Sequence, residues 1–398
     1  MNADDVNEEA DRARDRCDYA TALALYRQAG DLYAAGGDEP ARVRCLAWAG
    51  AVRYETGDLA AGLDALGEAA GAARACRDPH ALYVAALRFG LALYDQGRLA
   101  EALGELRSAE PELPALGSFE LRSDLHHSLG LVLMGAGRLE EALEELTKAM
   151  IAAVSVEYAV GEAEACGSMS HVWLLLGRPD QAEKVARGAV EAAERSGNPR
   201  QQGDAALTLA NALRMGADYE EAYAIFSGLV AEPFPDAATN SHLFQLTADT
   251  CRAMGRVDEA EELLDRAEAA ADALPDPYAR CNVRVTRAWL AHDRQDWAAC
   301  LDQARDAMHL FLGAVAANIR PHAVSHLLVN YRTVFELGVT AARRLGDASS
   351  LTAGIAFMDA AKCAAVREAL RRSGGRADPG ACPWPEVMPA GPEAFVVG

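Results

Sequence analysis

The sequence predicts an all-α solenoid built from antiparallel helix pairs. Three observations predict it: a short turn motif that returns at one fixed spacing, small side chains at fixed offsets around that turn, and a composition in which hydrophobic residues reach 51% while aromatics supply only 6%. A core made mostly of Ala and Leu suits close-packed helices better than sheets, which favour β-branched and aromatic side chains. A repeat also voids any domain count taken from the 398-residue length, because a stacked array grows by neighbours and not around one centre.

The motif reads Gly57-Asp58-Leu59, Gly97-Arg98-Leu99, Gly137-Arg138-Leu139 and Gly177-Arg178-Pro179. It continues as Ala217-Asp218-Tyr219, as Gly255-Arg256-Val257 after a two-residue contraction, and as Gln295-Asp296-Trp297, and it extends backward to Cys17-Asp18-Tyr19. Five positions after each turn comes a small residue: Ala22, Gly62, Ala102, Ala142, Ala182, Ala222, Ala260 or Cys300. Nine positions after it the residue is most often large (Tyr26, Leu66, Leu106, Leu146, Phe226, Leu264), and twelve after it Ala dominates. Offsets of 5, 9 and 12 share one helical face. Seven positions before the turn another small residue recurs, as Gly50, Gly90, Gly130, Ser170, Ala210, Ala248 and Ala288, which lets two antiparallel helices approach closely. Each unit is therefore predicted to be helix A, a tight turn with Gly where a positive φ is needed, and helix B.

Taken in order, residues 1–16 are polar and acidic, with Asp4, Asp5, Glu8, Glu9 and Asp11, and are expected to form the outer cap of the stack. Residues 17–318 form the repeat array, punctuated by helix breakers at Asp78-Pro79, Pro111 to Gly117, Gly197-Asn198-Pro199, Pro233 to Pro235 and Pro275 to Pro277. Residues 319–373 depart from the pattern and are expected to make a modified terminal helix pair. Arg320-Pro321 opens its first helix, which runs through Arg344; Gly346-Asp347 turns the chain, and a second helix spans about Leu351 to Arg372. Residues 374–398, with Gly374-Gly375 and five prolines, read as a linker or tail.

Composition and motifs narrow the function. Lys plus Arg number 38 against 59 Asp plus Glu, a net charge of −21, which repels phosphate backbones; with no helix-turn-helix or basic patch, no nucleic-acid partner is expected. The nine cysteines include no CxxC pair, so neither a zinc site nor a disulfide scaffold is expected, and the compartment is read as reducing. The acidic N-terminus lacks a signal-peptide pattern and no apolar run is long enough to span a bilayer, so the expectation is a cytoplasmic protein with no membrane partner. P-loop, HExxH, nucleophile-elbow and EF-hand patterns are absent, and no enzyme, cofactor or metal is expected. His322 and His326 lie four apart but supply too few ligands for a metal. Cys166, Cys251 and Cys300 sit at inward-facing repeat positions and are read as buried small hydrophobes. The runs Glu140-Glu141-Glu144-Glu145 and Asp258-Glu259-Glu261-Glu262-Asp265 are read as wet helix faces.

These turns and small-residue positions resemble the tetratricopeptide repeat (TPR) family, over about residues 17 to 310. The unit here, from Gly57 to Gly97 for example, is longer than the family's usual one, and the family's Pro at the end of helix B has no constant place. The resemblance implies a right-handed superhelix whose concave groove is lined by helix A residues not used for packing. The groove row would include Trp48, Tyr54, Arg88, Tyr94, His127, His171, Thr208, Asn211, Arg214, Gln245, Arg252 and Trp289, together with Asp124, Glu164 and Asp249. Asn can satisfy both a backbone N–H and a C=O of an extended peptide. The resemblance makes Asn211 the first candidate for that role, with Arg88, Arg214 and Arg252 for carboxylates. Residues 356–370 and 387–397 are similar to the junction that joins such arrays to a CHAT domain, a caspase-like protease module, in bacterial proteins. That similarity implies a protease effector at the C-terminal side, with no nucleophile role for Cys363 or Cys382. The expected function is a non-catalytic scaffold or sensor that binds a protein or peptide segment. The alternatives are a peptide-sensing arm of a transcriptional regulator and an enzyme subunit with an unrecognised site.

Overall fold

A computed structural model describes residues 2–274, 277–316 and 323–356. His322, the side chain of His326, Pro275, the helix expected beyond residue 356, Cys363, Cys382 and the 374–398 tail lie outside the described residues. Among those described, all regular structure is helical. Eight hairpins follow in order: α1 (Ala3–Asp15) with α2 (Tyr19–Gly36), α3 (Glu39–Glu55) with α4 (Leu59–Cys76), and α5 (Pro79–Asp95) with α6 (Leu99–Ala109). A 3-10 turn, Glu110–Glu112, and the one-turn α7 (Leu113–Leu116) lead to α8 (Phe119–Gly135) with α9 (Leu139–Ser155), and α10 (Ala159–Leu175) with α11 (Pro179–Ser196). Then come α12 (Pro199–Met215) with α13 (Tyr219–Ala231), α14 (Ala237–Ala253) with α15 (Val257–Asp272), and α16 (Pro277–Asp293) with α17 (Trp297–Ala316). α18 (Ala323–Leu345) packs on α16 and α17. Gly346 turns at φ +70° and Asp347 caps a further helical stretch over 348–356, its carboxylate accepting from the Ser350 amide at 3.0 Å.

Each of the eight predicted turns is a left-handed residue. The five glycines lie between φ +67° and +95°, and Cys17, Ala217 and Gln295 adopt +60°, +66° and +59° without being glycine. The reason is the hydrogen bonding around them. In every unit the amide after the turn residue donates to the carbonyl five positions back, from Asp18 to Ala13 through Asp296 to Ala291, at 2.8–3.1 Å. This closes the last orphan carbonyls of helix A and aims the chain back along it. A second set of left-handed residues, evenly spaced, precedes the next A helices: Gly37, Arg77, Glu157 and Gly197 follow B helices, and Gly117 follows the one-turn α7. Four of the A helices that follow start on side-chain caps, Asp38, Asp78, Ser118 and Asn198 each accepting a first-turn amide; α10, after Glu157, starts at Tyr158 without one, and Asp236 caps α14 in the same way, with Pro40, Pro79 and Pro199 in the first turn of their helices.

The offsets on either side of the turn pack as the period requires. The positions five after each turn are fully buried at Ala22, Ala102, Ala142, Ala182, Ala222, Ala260 and Cys300. The glycines seven before the turn face the large residues nine after it: a Cβ at Gly90 would stand 2.7 Å from Leu106, and at Gly130 2.6 Å from Leu146. Cys166, Cys251 and Cys300 are buried, and burial pushes the Cys251 thiol up to about 12. The N-terminal segment, residues 1–16, does more than shield the stack. Val6, Ala10 and Ala13 of α1 are fully buried, so α1 serves as the A helix of the first hairpin while Asp4, Asp5, Glu8 and Asp15 stay exposed. Tyr26 on α2 ties it down by donating to Asp11 at 2.6 Å.

Candidate binding groove

Which face of the stack is concave follows from which helices touch. From α3 onward each A helix packs on the A helix of the next unit (α3 on α5, α5 on α8, α8 on α10, α10 on α12, α12 on α14, α14 on α16, α16 on α18), whereas no two B helices pack in the same way. A helices converge and B helices splay, so the A helices line the inner wall. Of the twelve groove candidates, eleven are half-buried and Tyr54 is buried. They fall into three stretches of wall with different states of satisfaction.

At the N-terminal end Trp48 is an aromatic platform. It stacks on Tyr26 at 6.2 Å, and the guanidiniums of Arg14 and Arg88 lie 4.0 and 3.9 Å from its ring centroid. Arg14 is held by Asp11, Asp15 and Tyr26. Arg88 is not held: among the described residues it has no carboxylate at ion-pair distance, and its Nε is buried without a hydrogen-bond partner. Burial, with Arg14 next to it, lowers the Arg88 pKa, while Glu55 and Asp124 act in the opposite sense. The Tyr83 hydroxyl, in the same field, is likewise buried and unpartnered. Tyr54 donates to the Ala92 carbonyl and accepts from Gln96 at 2.7 Å, bridging two units. Tyr94 lies so close to Gly135 that a Cβ there would stand 2.8 Å from its ring.

The middle stretch is acidic. Asp124 on α8 and Glu164 on α10 occupy the same place in successive units, thirteen positions before their turns. Burial raises both carboxyls, and Asp124 raises Glu164 further by like-charge repulsion. Glu164 keeps 49% of its side-chain exposure; a carboxyl that water reaches and protein mass surrounds sits in a concave wall. His127 Nε2 meets Ser168 Oγ at 2.9 Å, and its Nδ1 is 3.9 Å from Glu164. Burial holds the imidazole down at about 4, so it is neutral at pH 7. Gln201 stands beside Glu164 with a buried, unpartnered Oε1. His171 is half-buried on the same helix as Glu164.

The C-terminal stretch is a ladder of internal ion pairs. Asn211 Oδ1 accepts from Arg214 at 2.9 Å, Arg214 reaches Asp249 at 2.5 Å, Arg252 pairs the same Asp249 at 2.9 Å, and Arg252 reaches Asp293 at 2.5 Å. Gln245 donates to Thr286 at 2.8 Å and Thr208 donates back to the Asp204 carbonyl. Trp289 meets His292 edge-on at 5.4 Å, with Arg252 over its ring. Asn211, Arg214 and Arg252 are thus placed on the inner row as the spacing requires, the Asn211 oxygen engaged by Arg214 of its own helix and the two guanidiniums reaching carboxylates of the next unit. Arg14, Tyr83, Tyr158 and Gln201 were not among the candidates. Arg14 stands three before its turn, as Arg214 and Arg252 do, so extending the register one unit backward would have found it. Nothing local marks Tyr83 or Gln201.

One cluster outside the groove has ligand character. Glu110, His126 and Glu145 each bring an atom within 4.8 Å of the others. His126 Nδ1 and Lys148 already contact the Glu145 carboxylate at 2.7 Å each. In the last hairpin Arg284, at the same distance from its turn as His126, pairs Glu268 and Gln303 in the equivalent places. This niche joins an A helix to its own B helix and to the preceding one through polar contacts. No described helix is long and apolar enough to cross a membrane.

No protein-family model matches the chain, and no curated protein does. Among solved structures, the apo form of RapI superposes with a TM-score of 0.64 at 9% identity, covering 94% of this chain and 99% of that one. A Rap protein complexed with Competence and Sporulation Factor gives 0.55 at 13% identity, over 86% and 98%. The Rap conjugation gene regulator of plasmid pLS20, in complex with the Phr* peptide, gives 0.56 at 11% identity, over 94% and 98%. Similarity of this degree establishes the fold, a TPR-like all-α solenoid of antiparallel helix pairs.

Proposed function

We propose that this TPR-like solenoid is a non-catalytic scaffold that holds a protein or peptide segment along its A-helix wall and passes the event to an effector near its C-terminal hairpins. The observation that carries the reading is Arg88. A guanidinium that has no carboxylate at ion-pair distance among the described residues and a buried, unpartnered Nε is costly, and it lies on the inner wall against Trp48, with the orphaned Tyr83 hydroxyl close by. A segment bringing an anionic or carbonyl oxygen there would satisfy it. The solved Rap regulator that holds the Phr* peptide on the same fold supports a peptide-sized guest. Asn211 retains its amide N–H donors for a guest carbonyl, and Trp289 offers an apolar contact further along. The effector is either a CHAT-type protease or a gene-regulatory partner; the similarity at residues 356–370 and 387–397 supports the first, and the fold shared with a conjugation gene regulator supports the second.

The test is a selection of random heptapeptides on the full chain, followed by calorimetric titration of the recovered peptides. Micromolar binding that weakens in Arg88→Ala and His127→Ala, with helicity unchanged, supports the groove. Recovery of no peptide, or binders indifferent to every inner-row substitution, would refute it.

A further inference from the structure

Building on that groove reading, we propose that the guest carries a carboxylate and that this carboxylate docks on Arg344, where the turn of the eighth hairpin meets the end of α18. A cavity of about 570 Å³ opens there, lined by His292 and Asp293 at the end of α16, Gln295 in the turn, Trp297 at the start of α17 and Arg344. That volume falls in the range of ligand pockets. Ring contacts fix its walls. His292 meets Trp289 and Trp297 edge-on, at 5.4 and 5.3 Å, and the Arg344 guanidinium lies 5.4 Å from the Trp297 ring centroid.

Two guanidiniums in this region lie over an indole, and they differ in one respect. Stacking occupies the face of a guanidinium and leaves the N–H donors at its edge free to bond. Arg252, 5.5 Å from the Trp289 centroid, spends that edge on Asp249 and Asp293. Arg344 has no carboxylate at ion-pair distance among the described residues. Along the ladder, Arg214 and Arg252 balance Asp249 and Asp293, and Arg344 has no share in that pairing. Asp293, the acid in the cavity wall, is already reached by Arg252 at 2.5 Å and stands 3.2 Å from His292 Nδ1. The side-chain amide of Gln295 adds donors and has no hydrogen-bond partner among the described residues. A wall made of a guanidinium edge without an acid, an unbonded amide and a carboxylate that is already paired is completed by an anion. The planar edge of Arg344 matches a carboxylate bidentately. The net charge of −21 opposes multiply charged anions such as phosphate, which leaves a single carboxylate on an otherwise neutral or basic peptide. Either the peptide's C-terminus or an Asp or Glu side chain supplies it.

The experiment selects random heptapeptides with free C-termini on the full chain and titrates the recovered peptides into Arg344→Gln and Gln295→Ala. Arg343→Gln is the control for general attraction, an exposed neighbour on α18 that does not line the cavity. Peptides held at this end of the wall should lose affinity about ten-fold in Arg344→Gln, the size of one charged hydrogen bond. They should lose less in Gln295→Ala and nothing in Arg343→Gln. Amidating the peptide C-terminus and replacing its Asp or Glu by Asn or Gln, in separate arms, tell the two sources apart. The arm that removes the seated carboxylate should cost the same ten-fold and show no further loss in Arg344→Gln, because the two changes delete one contact. Affinity that survives both arms, or equal losses in Arg343→Gln and Arg344→Gln, would overturn the seat. If every binder needs Arg88 and His127 and none needs Arg344, the seat is overturned and the groove stands. Binders lost in Arg344→Gln but indifferent to Arg88→Ala and His127→Ala would keep the seat and withdraw the Arg88 reading. Recovery of no peptide would overturn both.

Discussion

The close approach of helix A to helix B can be tested with one methyl group. In Gly130→Ala the added Cβ would stand 2.6 and 2.7 Å from Cγ and Cδ2 of Leu146, a fully buried residue, and 3.4 Å from the Ala142 carbonyl. Overpacking of this kind costs about 1–3 kcal/mol, while replacing Gly by Ala inside a helix returns about 0.5–1 kcal/mol. The net is a loss of about 0–2.5 kcal/mol. Gly188→Ala in α11 supplies the reference, because nothing lies within 4 Å of its Cβ and only the helix gain of about 0.5–1 kcal/mol remains. The difference between the two variants isolates the steric cost, about 1–3 kcal/mol. Gly50→Ala, whose nearest contacts are at 3.1 Å, should fall between them. Leu146→Ala alone should cost about 2–5 kcal/mol, and the double variant less than the sum, since two other hairpins pair Ser170 with Ala186 and Ala288 with Ala304 at these offsets. Urea midpoints followed by circular dichroism would rank the variants. If Gly130→Ala were as benign as Gly188→Ala, the two helices would not be in contact at this point and the packing argument would fail.

Other outcomes follow from the same geometry. Ala217→Gly, at φ +66°, should raise stability by up to about 1 kcal/mol, and Gly137→Ala should lower it by about 1–2 kcal/mol, both read from denaturation midpoints. Asp249→Ala should destabilise more than Arg214→Ala, because it strands both Arg214 and Arg252; added salt should alter that difference little, since these side chains are only 16–19% exposed. His127 is neutral when folded down to about pH 4, against about 6.5 unfolded. Between these values the unfolded chain binds the extra proton, so stability falls as pH drops through the window, by at most about 1.4 kcal/mol per unit. Asp124 and Glu164, whose carboxyls are raised on folding, act in the opposite direction at the acid end. His127→Gln should flatten the slope from pH 6.5 toward 4.5, measured by urea unfolding at each pH.

Much of this architecture was legible because its determinants are local or lie one hairpin apart. The eight turns needed only the period, and even Cys17, Ala217 and Gln295 adopt the left-handed geometry that glycine adopts elsewhere, since the hydrogen bonds at the end of helix A impose it. The paired offsets, Gly90 on Leu106 and Gly130 on Leu146, could be read for the same reason: two helices joined by a fixed turn have a fixed register. The N-terminal helix was less legible, because its acidic residues hide three alanine- and valine-sized contacts, Val6, Ala10 and Ala13, and only the next hairpin gives them something to pack on.

Periodicity along the chain is enough to assign the repeat, its hairpins and the helix face that carries the polar row, since it encodes which side of a helix each residue occupies. Which members of that row stay chemically available is settled only in three dimensions. Arg214 and Arg252 find carboxylates 35 and 41 residues away, Asp249 and Asp293, whereas Arg88 at the other end finds an indole and, among the described residues, no acid within ion-pair distance. Whether a side chain is engaged depends on distances of a few ångströms between units, set by how consecutive hairpins stack, and no spacing along the chain records that.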